Sequence, residues 1–123
     1  MTHTGNHTME SVGLILPFPP SVNHYWRRVG ARTLISRHGR LYRDHCTELL
    51  AGIESFGDAR LEVEILVHPP DRRRRDLDNL TKATLDALVH GGLIDDDSQI
   101  DRLVLERREC KPGGMVAITV RRR

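Results

Sequence analysis

The chain has 123 residues, enough for one domain with a single core and too few for a second catalytic unit. An apolar share of 38% is ordinary for a soluble protein, and no apolar run is long enough to span a bilayer. The formal charge of +2 hides a segregation of charge: there are 17 arginines against 2 lysines, six arginines and no acid between Ser21 and Arg43, and four aspartates among the seven residues Asp95 to Asp101.

Residues 1–11 (MTHTGNHTMES) are polar and aperiodic and read as a disordered leader, so a single domain is expected over 12–123. Val12 to Leu16 predicts a strand closed by Pro17, and the next segment, PFPPSVNHYWRR, reads as an extended basic loop because Pro17, Pro19 and Pro20 stand so close together. Arg32 to Ser36 predicts a second strand, with a turn over Arg37 to Arg40. Tyr42, Cys46, Leu49, Leu50 and Ile53 recur at helical spacing, predicting a helix from about Arg40 to Ser55 that stops at Gly57. Leu61, Val63, Ile65 and Val67 alternate as in a half-buried strand ending at Pro69-Pro70. Leu77, Leu80, Thr84, Ala87 and Leu88 mark a helix from Asn79 to about His90, stopped by Gly91-Gly92. Arg102 to Arg108 and Met115 to Val120 predict two more strands forming a hairpin around the KPGG turn, Lys111 to Gly114. The expected fold is α/β (α+β): one mixed sheet of about five strands with two helices packed on it.

Cys46 and Cys110 are the only cysteines and lack CxxC spacing or a secretory leader, so free thiols in a reducing cytoplasm are expected. The chemistry-bearing segment is DRRRRDLDNLTK, Asp71 to Lys82. Asp76 and Asp78 are spaced i, i+2, and in an extended segment their carboxylates would converge on one cation. The plainer alternative makes Asp78 a helix N-cap and Asp76 a favourable charge at a helix start. Asp95, Asp96 and Asp97 follow the same helix and supply either a third acidic element or an acidic surface turn. They approach the helix start only if Leu93-Ile94 returns antiparallel to the helix, which rises roughly 18 Å. An EF-hand is excluded for a loop starting at Asp95, since Ile100 stands where glycine is required, and the same test fails from Asp76. Lys82, four residues after Asp78, is either a helix bridge or a group that stabilises charge on a phosphate. Arg72, Arg73, Arg74 and Arg75 adjoin the carboxylates and read as phosphate contacts. Tyr25 and Trp26, beside Arg27 and Arg28, either stack on unpaired bases or pack under a loop.

DRRRRDLDNLTKATLDAL followed by GGLIDDDSQI, preceded by LPFPPSVNHYW and ended by a GG-centred hairpin, closely resembles the RusA family of Holliday junction resolvases, from about Leu14 to Val120. The resemblance implies a small homodimeric α/β protein that uses magnesium, with manganese as a substitute, to nick four-way DNA junctions symmetrically. It implies that Asp76, Asp78 and Asp97 are the catalytic metal-binding carboxylates and Lys82 the essential lysine, with Asp96 in a supporting role. Asp95 departs from the family pattern, where an apolar residue is common, and leaves the choice of ligand within the triple open. Two other readings are a non-catalytic basic nucleic-acid-binding module and a nuclease of the same fold preferring flaps or other branched DNA.

Overall fold

The computed structural model of the protein describes residues 10–123. Most of the expected leader therefore lies outside the described residues, but its end does not: Ser11 opens strand β1 (Ser11–Pro17) and pairs with Arg121.

After Pro20 the chain does not stay extended. A one-turn helix α1 (Val22–Tyr25) forms, with the Ser21 carbonyl accepting from the amides of His24 and Tyr25. Strand β2 (Trp26–Val29) then pairs antiparallel with β3 (Arg32–Ile35) around Gly30, whose φ of 62° suits glycine. This hairpin is a separate two-stranded sheet, so β3 does not join the main one as expected. Helix α2 (Arg37–Leu50) starts where a turn was predicted, because Ser36 caps it: its Oγ accepts from the Gly39 amide at 3.0 Å. It also stops short of Gly57, for Gly52 at φ 85° takes the left-handed position just past its end.

Strand β4 (Leu61–His68), helix α3 (Asp78–His90), strand β5 (Ile100–Arg107) and strand β6 (Met115–Arg122) complete the chain. The four-stranded sheet runs β1-β6-β4-β5, so β5 and β6 are not a hairpin. β5 lies parallel to β4, with α3 as the crossover that a parallel pair requires, and β6 inserts antiparallel between β4 and β1. Burial explains the choice. Val116, Ile118 and Val120 of β6 are fully buried and suit an interior strand, whereas β5 is charged at both ends and leaves Leu103 40% exposed, as befits an edge. The local KPGG signal is real, with Gly113 and Gly114 at φ of 78° and 72°, but it turns the chain across the end of β4, where Lys111 N donates to the Pro69 carbonyl.

The core is continuous. Leu61, Val63, Ile65 and Val67 of β4 share one cluster with Tyr42, Cys46 and Leu50 of α2 and Leu80, Ala83, Ala87 and Leu88 of α3, each large aliphatic side chain contributing roughly 1.5–3 kcal/mol on burial. Both cysteines are free, as expected: Cys46 is buried and its thiol pushed up to about 11 by desolvation, while Cys110 is exposed. Among the described residues, no helix is long and apolar enough to cross a membrane.

Gly39 is the tightest joint between α1 and α2: a Cβ there would stand 2.6 Å from the Tyr25 carbonyl oxygen and 2.8 Å from Ile35 Cγ1. Glycine to alanine in a helix interior ordinarily gains about 1 kcal/mol. Here the obstacle is backbone, and Gly39→Ala is expected to cost about 1–3 kcal/mol instead. Thermal unfolding followed by circular dichroism checks the sign; an unchanged or raised midpoint would contradict the packing described.

Candidate nucleic-acid and metal site

The arginine run is not a free basic tail. Asp71 accepts from the Arg73 amide at 2.9 Å and from Arg75 Nη1 at 2.7 Å, and these bonds hold its carboxyl below the usual carboxylate range, the Arg75 bond first. Arg75 is only 17% exposed at its side chain; its guanidinium lies 5.3 Å from the centre of the Phe18 ring, and its carbonyl accepts from Arg107 Nη2 at 2.7 Å. Arg75 is thus a brace for the loop rather than one of four equivalent phosphate contacts. Arg72, Arg73 and Arg74 are exposed, Arg73 with 78% of its side chain accessible, and they remain available to a polyanion.

The two aspartates after the run line different cavities. Leu77 already has helical backbone angles (φ −61°, ψ −40°), so the segment from Asp76 to Asp78 turns rather than extends, and residues two apart then face different ways. Asp76 lines a cavity of about 560 Å³ with Arg73, Arg74 and Arg75, whereas Asp78 lines a second one of about 550 Å³. Nor is Asp78 the N-cap: Leu77 occupies that position, without a side-chain bond.

The second cavity is a groove between α3 and the edge strand β5. Asp78, Lys82 and Asp86 line it at i, i+4 and i+8 along α3, Leu103 and Leu105 form the opposite apolar wall, and Asp96 and Asp97 stand at its rim. Leu93 and Ile94 are buried and do not run back along α3; Leu93 accepts from the Phe56 amide and Asp95 N donates to the Gly57 carbonyl. Arg107, at the end of β5, is tied to the loop that opens α3, while Asp97 precedes the start of β5. Asp78 and Asp97 therefore line one groove from different elements, the start of α3 and the turn before β5. No group of three or more His, Cys, Asp or Glu side chains is gathered to hold a metal among the described residues.

The acidic turn itself is rigid. Asp97–Gln99 is a single 3₁₀ turn capped by Asp96, whose carboxylate accepts from the Ser98 amide at 2.9 Å and is held below its ordinary pKa range by Ser98, through its side chain first and its amide second. Gln99 is buried and fully used, its Oε1 accepting from the amides of Asp95 and Asp96 and its Nε2 donating to the carbonyls of Gly57 and Ala59. The D-x-x-Q spacing is a capping box, a signal available in the sequence. Asp96 is thus the cap, and the carboxylates of Asp76, Asp78 and Asp97 and the ammonium of Lys82 have no protein partner among the described residues. The i, i+4 bridge from Asp78 to Lys82 is not made.

Tyr25 cannot stack on a base. It is fully buried, its ring edge-on to Trp26 with centroids 5.0 Å apart, and its hydroxyl donates a short hydrogen bond to Asp86 Oδ2, a carboxylate that Arg43 also approaches at 3.9 Å. Packing is the correct reading for Tyr25, whereas Trp26 is half-buried on the groove wall, and Arg27 and Arg28 are exposed on the hairpin. Asp86, not foreseen as a site residue, ties α1 to α3; only its i+4 spacing from Lys82 marked it.

A single α+β domain in which exposed arginines stand beside a groove lined by carboxylates and a lysine presents a surface suited to a polyanion. The chain belongs to the endodeoxyribonuclease RusA family, whose profile matches residues 17–121. It is 39% identical over 114 residues to a crossover junction endodeoxyribonuclease rusA of Enterobacteria phage HK97, 40% to that of Enterobacteria phage 82 and 38% to that of Escherichia coli K12, each comparison covering 91% of this chain and 95% of the relative.

The two tyrosines of the chain, Tyr25 and Tyr42, are both inside, and burial raises both phenols above their ordinary pKa. A raised folded-state value means stability that is intact below the unfolded pKa near 10 and is lost as pH rises beyond it. Absorbance at 295 nm is expected to show no tyrosinate while the fold persists, with both phenols ionising together as it opens in alkali. Titration of either one in the folded protein would contradict their placement.

Proposed function

We infer that this chain is a structure-selective endodeoxyribonuclease that resolves four-way DNA junctions by paired nicks, with Mg²⁺ as its cofactor and Mn²⁺ as a substitute. The observation that carries the reading is the placing of Asp78, Lys82 and Asp97 on one groove with Asp76 beside the arginine loop, all four side chains without a partner among the described residues, a property they share with Asp44, Asp58 and Asp95. Family membership and the names of the relatives support the same activity. Exposed carboxylate oxygens are the donors Mg²⁺ prefers, and Asp76, Asp78 and Asp97 would hold it. A bound ion of this kind neutralises phosphate charge and makes water a stronger nucleophile.

The chain's own residues do the rest. Arg72, Arg73 and Arg74 hold backbone phosphates and set the register of the DNA, and Arg27 and Arg28 extend the basic track along the hairpin. Lys82 places its ammonium where negative charge grows on the phosphate under attack, and the apolar groove wall of Leu103 and Leu105 strengthens that interaction by keeping water away. A homodimer is part of this reading: Asp78 and Asp97 reach the groove from different elements, and a two-fold-related copy would bring the partner subunit's Asp97 to this chain's Asp78. Two such sites then face two equivalent strands of a junction. A cytoplasmic location, where the DNA substrate is found, follows from this reading.

Asp78→Asn is expected to abolish nicking of a synthetic mobile four-way junction in Mg²⁺ while leaving binding intact or tighter. A variant that cuts at the wild-type rate would refute the assignment. Arg73→Ala with Arg74→Ala, present twice in the dimer, should lower the salt dependence of junction binding by about three to four units of log-log slope; an unchanged slope would make the run a solvated face. Mixing Asp78→Asn with Asp97→Asn chains reads out the shared site, because each mixed dimer then carries one intact Asp78–Asp97 combination. Recovered single nicks are expected; no recovery would mean that each chain supplies its own complete set.

A further inference from the structure

We propose that Tyr25 is a positioning residue for cleavage: its hydroxyl holds the Asp86 carboxylate and so keeps it from pairing with Lys82, which stays free for a phosphate. The proposal rests on the role given to Lys82 in the junction-cleaving reading above.

Helix α3 carries a conflict in its sequence. Asp78, Lys82 and Asp86 follow one another at steps of four and all line the α3–β5 groove, so the lysine has a carboxylate one turn before it and another one turn after it. Side chains four apart on a helix are surface neighbours, about 5–6 Å apart at Cβ, and an ammonium flanked in this way ordinarily pairs with one of its neighbours. Lys82 is exposed and pairs with neither among the described residues. For Asp78 the reading above supplies another occupant, the cation.

For Asp86 the competing partner is in the fold itself. Its Oδ2 accepts a short hydrogen bond from the Tyr25 hydroxyl, and Arg43 Nη1 approaches the same oxygen at 3.9 Å. Neither partner lines the groove: Tyr25, on α1, is fully buried, and Arg43, on α2, has 25% of its side chain exposed. The carboxylate is therefore tethered from the side of α1 and α2, and the guanidinium offsets its charge. Tyr25 is a durable and fixed donor. Burial first and the adjacent carboxylate second raise its phenol above the ordinary range, its carbonyl accepts from the Ser36 amide at 2.8 Å, and its ring stands edge-on to Trp26, a groove residue, with centroids 5.0 Å apart.

Without the hydroxyl, Asp86 keeps only the longer contact with Arg43, and Lys82, one turn away on the same face, becomes its alternative partner. A lysine drawn into that pair takes its charge away from the place where negative charge grows on the phosphate under attack. The arginines that hold the DNA are untouched, so the loss falls on the rate of cutting and not on binding.

The test uses the full-length protein, Mg²⁺ and a synthetic four-way junction, and compares the wild type with Tyr25→Phe, Asp86→Asn and the double variant. Tyr25→Phe is expected to lower the single-turnover rate at saturating enzyme by about threefold to fivefold, the range of a partly exposed ion pair, with junction affinity unchanged within about twofold. Asp86→Asn removes the competing carboxylate, so the double variant should cut faster than Tyr25→Phe and match Asp86→Asn alone. A bond that served only to hold α1 on α3 predicts the reverse, with Asp86→Asn and the double variant both as slow as Tyr25→Phe. Tyr25→Phe as fast as the wild type, or a double variant no faster than Tyr25→Phe, would overturn the proposal while leaving junction cleavage standing. Lys82→Ala cutting at the wild-type rate would overturn the role of the lysine and this inference with it.

Discussion

Arg75 grips the β4–α3 turn from three directions: its guanidinium meets the Asp71 carboxylate and the Phe18 ring, and its carbonyl receives Arg107 from the edge strand. Without those contacts four successive arginines would repel one another and the loop would spread. With them, one positive charge is neutralised inside the protein and three face outward from a fixed frame. The same brace sets where Asp76 and Asp78 emerge, because Leu77 must turn into the helix immediately after Arg75. The apparent redundancy of the run is a division between one structural guanidinium and three exposed ones that can meet phosphates.

The sheet gives this turn its direction. β4 is paired on both sides, parallel to β5 and antiparallel to β6, and ends in Pro69-Pro70, where pairing must cease. The crossover through α3 then obliges the helix to run back over the sheet beside the edge strand. A groove forms there because no further element covers that side of Leu103 and Leu105. The acidic turn lies at one end of the groove and the arginine loop at the other, so a charge separation visible along the sequence becomes one across about the length of a strand.

What the sequence disclosed was what depends on near neighbours. The period of two in Leu61 to Val67 and the helical stripe of Leu80, Thr84, Ala87 and Leu88 gave β4 and α3 almost to the residue, since burial on one face is written directly into the pattern. The pairing of β6 was not legible from KPGG, because a turn signal states that the chain bends and not which strand it joins; the buried Val116, Ile118 and Val120 held that information. That Asp76 and Asp78 line different cavities was not legible either, since it goes with the helical backbone angles of the single residue between them, Leu77. The Tyr25–Asp86 bond spans 61 positions in the chain and could not be read from spacing at all. Helix α2 was misplaced at both ends because Ser36 and Gly52, its start and stop, were passed over for later residues.

The glycines at the chain's two sharpest bends have opposite standing. At Gly30, on the tip of the hairpin, an added Cβ would meet nothing within 4 Å, whereas at Gly114 it would strike Phe18 and Pro70. The hairpin tip is therefore a place where a dye, a tag or an inserted peptide can be attached without touching the core or either cavity. The loop before β6 is the reverse: it carries no chemistry of its own, yet its length and its lack of a side chain are fixed by the ring it presses against, so divergence among such chains should accumulate at the first bend and be purged at the second.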